Sequence, residues 1–233
     1  MAIAAIVAGG KGTRMGGEIP KQFMELCGKP VIIYTIEQFL KHDEIENVIV
    51  GINPQWHEYM EELVGKFFSG GVHITDGGAD RNDTIVNIIT YAKEKLSAGE
   101  DEVLLTHDAV RPFVTEKMIS DSIAAMADCD ICTTAITATD TMLISSDGIT
   151  ADEFPLRSTM FRVQTPQTFR MGGFIEMLHR VPAEQRSGIT DACRLYHING
   201  KAVKLIEGAE TNIKLTYPSD FRTAETLVKD FFS

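Results

Sequence analysis

The sequence predicts an α/β protein: a mainly parallel sheet flanked by helices, with a protruding β-arm. Three observations carry that expectation. Short, nearly continuous runs of β-branched and aliphatic residues recur along the chain, as strands buried on both faces require. Segments with apolar residues at helical spacing separate them. One stretch, 139–165, shows neither pattern and carries the turn signal Ser145-Ser146-Asp147-Gly148.

Taken in order, the expected strands are 3–8, 48–52, 72–75, 103–106 and 131–136. Pro30 suits the first turn of a helix running to Lys41. Ile85, Ile88, Ile89, Ala92 and Leu96 share one face of a helix starting near Asn82, with Asn82 or Asp83 as its cap. Ile119, Ile123 and Met126 mark the next helix, and Phe221, Ala224, Val228 and Phe231 the last. Strands alternating with helices give a Rossmann-like parallel sheet. The 139–165 segment reads as an extended excursion from it. Its apolar residues, such as Met142, Ile144, Phe154 and Met160, have no core of their own, and a second copy of the chain is the simplest cover. Without repeats or a linker, 1–233 reads as one domain with a dimerisation arm.

The chain has 233 residues, with 22 Lys+Arg against 33 Asp+Glu, a formal charge of −11. So acidic a balance argues against nucleic acid and anionic membrane surfaces as partners. No run of about 18 apolar residues offers a membrane span, and the apolar start lacks the basic flank of a signal peptide. Four cysteines in a chain of this size point to reduced thiols and a cytoplasmic address. Cys129 and Cys132 have redox spacing but lead from a helix end into a strand, so inert thiols are expected.

Ligands of open parallel sheets bind beyond the carboxyl ends of the strands, and four polar clusters stand there. The first is Ala8-Gly9-Gly10-Lys11-Gly12-Thr13-Arg14, whose glycines let backbone N–H groups approach phosphate, with Arg14 and the nearby Lys21 adding charge. Its spacing fits neither a Walker A loop nor G-x-G-x-x-G. The second runs from Gly77-Gly78 through Asp80 to Thr84, in position for a base or ribose. The third is His107-Asp108-Ala109-Val110-Arg111-Pro112. Here Asp108 is a candidate Mg²⁺ ligand, Arg111 a partner for it or for phosphate, and His107 a structural hydrogen-bonder. The fourth comprises Thr190-Asp191 and Asn212-Ile213-Lys214. Lys214 lies in an apolar, strand-like run, where an unpaired ammonium would be costly to bury, so it is expected to meet an anion.

Together with Pro20-Lys21-Gln22 and Thr165-Pro166-Gln167, these motifs resemble the CTP-dependent cytidylyltransferases of polyol phosphates, in order from about residue 3 to 228. The resemblance implies that CTP and a polyol phosphate react, with Mg²⁺, to give a CDP-polyol and pyrophosphate. It makes Arg14, Lys21 and Lys214 catalytic. It places Ala8, Gly9, Gly10, Gly12, Thr13, Gly78, Asp80, Thr84 and Asp108 around the nucleotide. Arg111, Thr141, Arg157, Thr165 and Thr190 would line the acceptor, with Arg157 reaching a neighbouring subunit across the arm. Two branches of the family differ in acceptor, and Asp191-Ala192 resembles the ribitol 5-phosphate branch more than the 2-C-methyl-D-erythritol 4-phosphate branch. Of the other classes, a dinucleotide oxidoreductase would need an acidic residue closing the second strand, where Gly51-Ile52-Asn53-Pro54 stands. A silent nucleotide-binding regulator could dispense with Lys21 and Lys214, and both are present.

Overall fold

The apolar run near the start of the chain forms β1 (Ala2–Ala8), buried along almost its whole length. The computed structural model describes residues 2–10, 19–186 and 188–232. A hairpin of β2 (Glu25–Leu26) and β3 (Lys29–Pro30) precedes α1 (Val31–Leu40). Then follow β4 (Ile45–Ile52), α2 (His57–Phe67), β5 (Val72–Asp76), α3 (Arg81–Leu96), β6 (Val103–Asp108), α4 (Glu116–Ala124) and β7 (Ile131–Thr137). The rest comprises β8 (Phe161–Arg170), α5 (Met171–Arg180), α6 (Ala183–Arg186), α7 (Ala192–Ile198), β9 (Lys204–Glu207) and α8 (Pro218–Phe231).

Seven strands make the main sheet in the order β5-β4-β1-β6-β8-β7-β9. The β5, β4, β1 and β6 strands run parallel, as does β9 beside β7, while β8 is antiparallel to both of its neighbours. Side chains of β1 alternate between two cores, as a period of two demands. Ala4 and Ile6 join Ile33, Phe39 and Leu105 on one face, while Ile3 and Ala5 join Ile88, Phe169 and Phe174 on the other. Burying a side chain of the Ile6 or Phe169 kind contributes about 1.5–3 kcal/mol each. These two layers pack against both faces of the sheet.

The five expected strands and the helical faces are present, with corrections. Pro30 precedes the first helix rather than lying inside it, and that helix ends at Leu40. Asp80, not Asn82 or Asp83, caps α3, its side chain accepting from Asp83 N at 2.9 Å. Asn82 is instead buried, donating to Ile189 O at 2.6 Å. The arm is shorter than 139–165, because Phe161–Arg170 belongs to the sheet. Between 138 and 160 its regular pairing is one bridge, Ile144 to Glu153, beside a turn in which Asp147 accepts from the Ile149 and Thr150 amides. Pro166 lies inside β8, a position that normally argues against a strand. It is accommodated because the β6 ladder ends at Thr106–Gln167 and the β7 ladder is irregular between Thr133 and Ala135. Lys214 is not in a strand; its segment is fixed by Leu215 N donating to Val110 O at 2.9 Å.

Candidate active site

A cavity of about 750 Å³ opens at the carboxyl ends of β1, β4 and β6, within the usual size of a small-molecule site. Ala8, Gly9, Gly10, Asn53, Gly78, Ala79 and Thr84 line it without charge, and Lys21, Asp80, Arg81, Asp108 and Lys214 with charge. Packing explains Gly78 of this lining and Gly51 of strand β4. A Cβ at Gly78 would collide with Asp83, and one at Gly51 with Thr84 and Ile88. The Thr84 hydroxyl donates to Asp80 O at 2.8 Å and accepts from Gly78 N at 3.0 Å, so it knits the second glycine turn to α3. Gln22 is turned onto strand β1, donating to Ala8 O at 3.0 Å.

Asp108, at the tip of β6, is the centre of the charged wall. Arg81 Nη1 lies 2.7 Å from Oδ1, while Lys214 Nζ at 2.8 Å and Arg111 Nε at 3.3 Å share Oδ2. Burial alone would raise this carboxyl. The charges of Arg81, Lys214 and Arg111 override it and hold Asp108 well below the usual carboxylate range. Three cations around one anion leave the cluster net positive, an arrangement suited to a polyanionic ligand. Arg111 is also tied down by donating to Asn212 O at 2.7 Å.

Behind Asp108 sits His107, fully buried and edge-on to Phe39, with ring centroids 5.0 Å apart. Its Nε2–H donates to Arg111 O at 3.0 Å, which makes Nδ1 the acceptor for the Thr165 hydroxyl at 3.0 Å. Thr165 Oγ1 in turn accepts from Asp108 N at 3.2 Å. Burial pushes the His107 pKa down to about 3, so the ring is a neutral brace, as expected.

Of the expected residues, the structure brings Ala8, Gly9, Gly10, Lys21, Gly78, Asp80, Thr84, Asp108 and Lys214 to one cavity. Gly12, Thr13 and Arg14 lie outside the described residues. Thr165 faces His107 rather than the cavity, and Arg111 stands behind Asp108. Thr141 and Arg157 lie exposed on the arm, where Arg157 Nη1 donates to Thr139 O at 3.3 Å, and neither lines this chain's own cavity. Thr190 is exposed between Ile189 and Asp191, which are anchored by Asn82 and by Gln167 Nε2 donating to Asp191 Oδ2 at 2.5 Å. Arg81 is the residue the sequence reading missed. The thiols are free, Cys132 being buried with its pKa pushed up to about 12.

The donor set does not fit a protein-held Mg²⁺. No group of three or more His, Cys, Asp or Glu among the described residues converges on one point. Both oxygens of Asp108 are engaged by cations, and an ion placed there would have to displace them. In this structure Asp108 serves as an anchor for cations. Among the described residues no helix is long and apolar enough to cross a membrane.

A glycine-lined, cation-walled cavity at the strand tips of an α/β sheet is the setting of a nucleotide-dependent transferase. The family model described as IspD, 2-C-methyl-D-erythritol 4-phosphate cytidylyltransferase, matches residues 2–230, and the chain belongs to that family. It is a CTP-dependent nucleotidyltransferase. It is 37% identical over 231 residues to a ribitol-5-phosphate cytidylyltransferase of Lactiplantibacillus plantarum, covering 98% of this chain and 99% of that protein. Its structure is similar to 4-diphosphocytidyl-2C-methyl-D-erythritol synthase of Anaerococcus prevotii, with a TM-score of 0.80, 25% identity and 98% of each chain covered. The fold is shared with the 2-C-methyl-D-erythritol 4-phosphate cytidylyltransferase of Thermus thermophilus, with a TM-score of 0.74 at 24% identity over 98% of this chain and 100% of that one.

Proposed function

We propose that the chain couples CTP to ribitol 5-phosphate, giving CDP-ribitol and pyrophosphate for teichoic-acid or capsule synthesis. The observation that carries the chemistry is the meeting of Lys21, Arg81 and Lys214 at the glycine-lined cavity. An acceptor phosphate is already ionised at pH 7, so its oxygen attacks the α-phosphorus without a general base. The new P–O bond forms as the bond to the β-phosphate breaks, and pyrophosphate leaves. Catalysis is then in-line positioning and neutralisation of developing charge. Lys21, with Arg14 from the first glycine loop, meets the triphosphate, and Lys214 meets the acceptor phosphate or the α-phosphoryl oxygens. The 37% identity to a ribitol-5-phosphate cytidylyltransferase supports the acceptor, as does the Asp191-Ala192 pair. The family match favours 2-C-methyl-D-erythritol 4-phosphate, of isoprenoid synthesis, as the alternative acceptor.

Mg²⁺ belongs to the proposal as the companion of the CTP phosphates, since the described residues offer it no cluster of three or more carboxylate, His or Cys ligands. Arg111 and Thr165 act from behind, holding Asp108. Thr141 and Thr190 border the acceptor, while Arg157 reaches it from the partner of a homodimer formed through the arm. The cytoplasm is the expected compartment, where free thiols stay reduced. Pyrophosphate release with CTP, Mg²⁺ and a panel of polyol phosphates tests the reading. Ribitol 5-phosphate is expected to give the highest kcat/KM; preference for 2-C-methyl-D-erythritol 4-phosphate reverses the acceptor, and no release with CTP removes the function.

A further inference from the structure

Lys214 belongs to the stretch 208–216, which follows β9 and is neither helix nor strand. Its buried backbone polar groups therefore need partners from elsewhere in the fold. Gly208 N donates to Ala135 O at 2.9 Å and Leu215 N to Val110 O at 2.9 Å, which fixes the two ends. Between them two buried amides do the holding, Gln164 of β8 and Asn212 itself, 5% and 0% exposed.

A backbone donor orients both amides. Ala209 N–H donates to Gln164 Oε1 at 3.3 Å, and an N–H can meet only the oxygen, so Nε2 is the end that donates to Ala209 O at 2.8 Å. Asn212 then turns its NH₂ to two acceptors, Gln164 Oε1 at 3.3 Å and Thr165 O at 2.9 Å. Its Oδ1 is buried with no partner among the described residues. An orphaned buried oxygen is destabilising, and an apolar side chain would avoid it, so the role of this amide lies in its two donations. They tie the chain two residues before Lys214 to β8 at Thr165, whose hydroxyl also accepts from Asp108 N. The carboxylate and the lysine that meets it at 2.8 Å are thus both fixed to one point of β8.

We propose that Asn212, oriented by Gln164, is a positioning residue for Lys214, holding its backbone so that the ammonium stands at the cavity beside Asp108. Fully buried, Asn212 is out of reach of substrate and acts through the lysine. The inference rests on Lys214 neutralising charge in the transfer reaction, where misplacing a group by about 1 Å can cost on the order of 10²-fold in rate.

The test is a double-mutant cycle on kcat for pyrophosphate release, with saturating CTP and ribitol 5-phosphate, or 2-C-methyl-D-erythritol 4-phosphate should that be the faster acceptor. Thermal midpoints establish that each variant is folded. Asn212→Ala deletes both donations and should lower kcat about tenfold in the otherwise wild-type chain. In the Lys214→Ala background the same change should lower kcat less than about twofold, because the group it positions is gone. Gln164→Ala removes the acceptor that seats Asn212 and should show the same dependence on Lys214 with a smaller loss. A residue that only supports the core would lower kcat equally in both backgrounds. Equal fold losses in the two backgrounds, unchanged kcat in both single variants, or failure of both to fold overturns the assignment, while an impaired Lys214→Ala leaves the reading of the lysine standing. Wild-type turnover in Lys214→Ala overturns that reading, and this inference with it.

Discussion

The ammonium of Lys214 lies 2.8 Å from Asp108 Oδ2. The carboxylate is buried and the lysine is 41% exposed, so the pair spans the boundary between the core and the cavity. Asp108 thus holds the lysine beside the reaction space, where an incoming phosphate can exchange for the carboxylate as its partner. We expect Lys214→Ala and Lys21→Ala each to lower kcat about 10²-fold or more, the typical loss for one preorganised charge-stabilising donor. Both side chains line the cavity, so folding should survive. Near-wild-type steady-state turnover in either variant removes that residue from the mechanism.

Asp108→Asn separates an anchor for cations from a metal ligand. Removing the anion leaves Arg81, Arg111 and Lys214 facing one another, and breaking so buried an arrangement costs about 3 kcal/mol. Urea unfolding should show that loss, and turnover should fall with it. The Mg²⁺ concentration giving half-maximal rate should not move. A raised Mg²⁺ requirement with unchanged stability would return Asp108 to the metal.

Arg81→Ala should lower kcat/KM for CTP at least tenfold, because it removes a positive charge from the cavity wall and frees Asp108 Oδ1. Arg81→Lys should recover part of that loss, since a point charge can still reach the carboxylate but cannot reproduce the guanidinium geometry. Kinetics of the two variants side by side check this; equal loss in both would mean shape alone matters.

The cavity was largely legible in the chain, because parallel strands collect ligand groups at their carboxyl ends and three of the four polar clusters directly follow strands. Arg81 was not. A cation at the first position of a helix opposes the helix dipole, so it reads as surface charge until the strand order brings β6 within reach of α3. β8 was hidden for another reason: Gln164, Thr165, Gln167 and Thr168 are polar yet buried, and Pro166 interrupts them. Their hydrogen bonds, such as Thr106 Oγ1 to Gln167 O at 3.1 Å, become visible only once the antiparallel pairing is known.

The arm predicts assembly. Leu143, Ile149, Phe154 and Leu156 are all at least half exposed, with Ile149 at 89%, and such apolar surface on a segment with one bridging pair needs a cover. Sedimentation at micromolar concentration should show a dimer, and Phe154→Glu with Leu156→Glu should give a folded monomer. A monomeric wild type would dissociate the arm from assembly and Arg157 from the acceptor.

His107 gives the fold an acid-sensitive brace. In the unfolded chain its ring titrates at the ordinary value of 6.5, whereas in the folded chain burial lowers the pKa to about 3. Above 6.5 both states are neutral and the brace contributes fully. Below 6.5 the unfolded chain binds a proton that the folded chain refuses, so stability falls by about 1.4 kcal/mol per pH unit down towards 3. Asp108 acts in a lower window: its depressed pKa contributes stability above the ordinary carboxylate value that is lost only as pH falls below it. His73, also lowered by burial, adds to the His107 effect in the same direction, so the measurement compares variants rather than reading one curve. In His107→Gln the amide can still donate to Arg111 O and accept from Thr165 while having nothing to titrate. Urea unfolding at pH 7, 6 and 5 should show wild type losing about 2 kcal/mol more than His107→Gln, nearly all of it below pH 6.5. Parallel losses in the two proteins would show that the ring between Arg111 and Thr165 is protonated as readily in the fold as outside it.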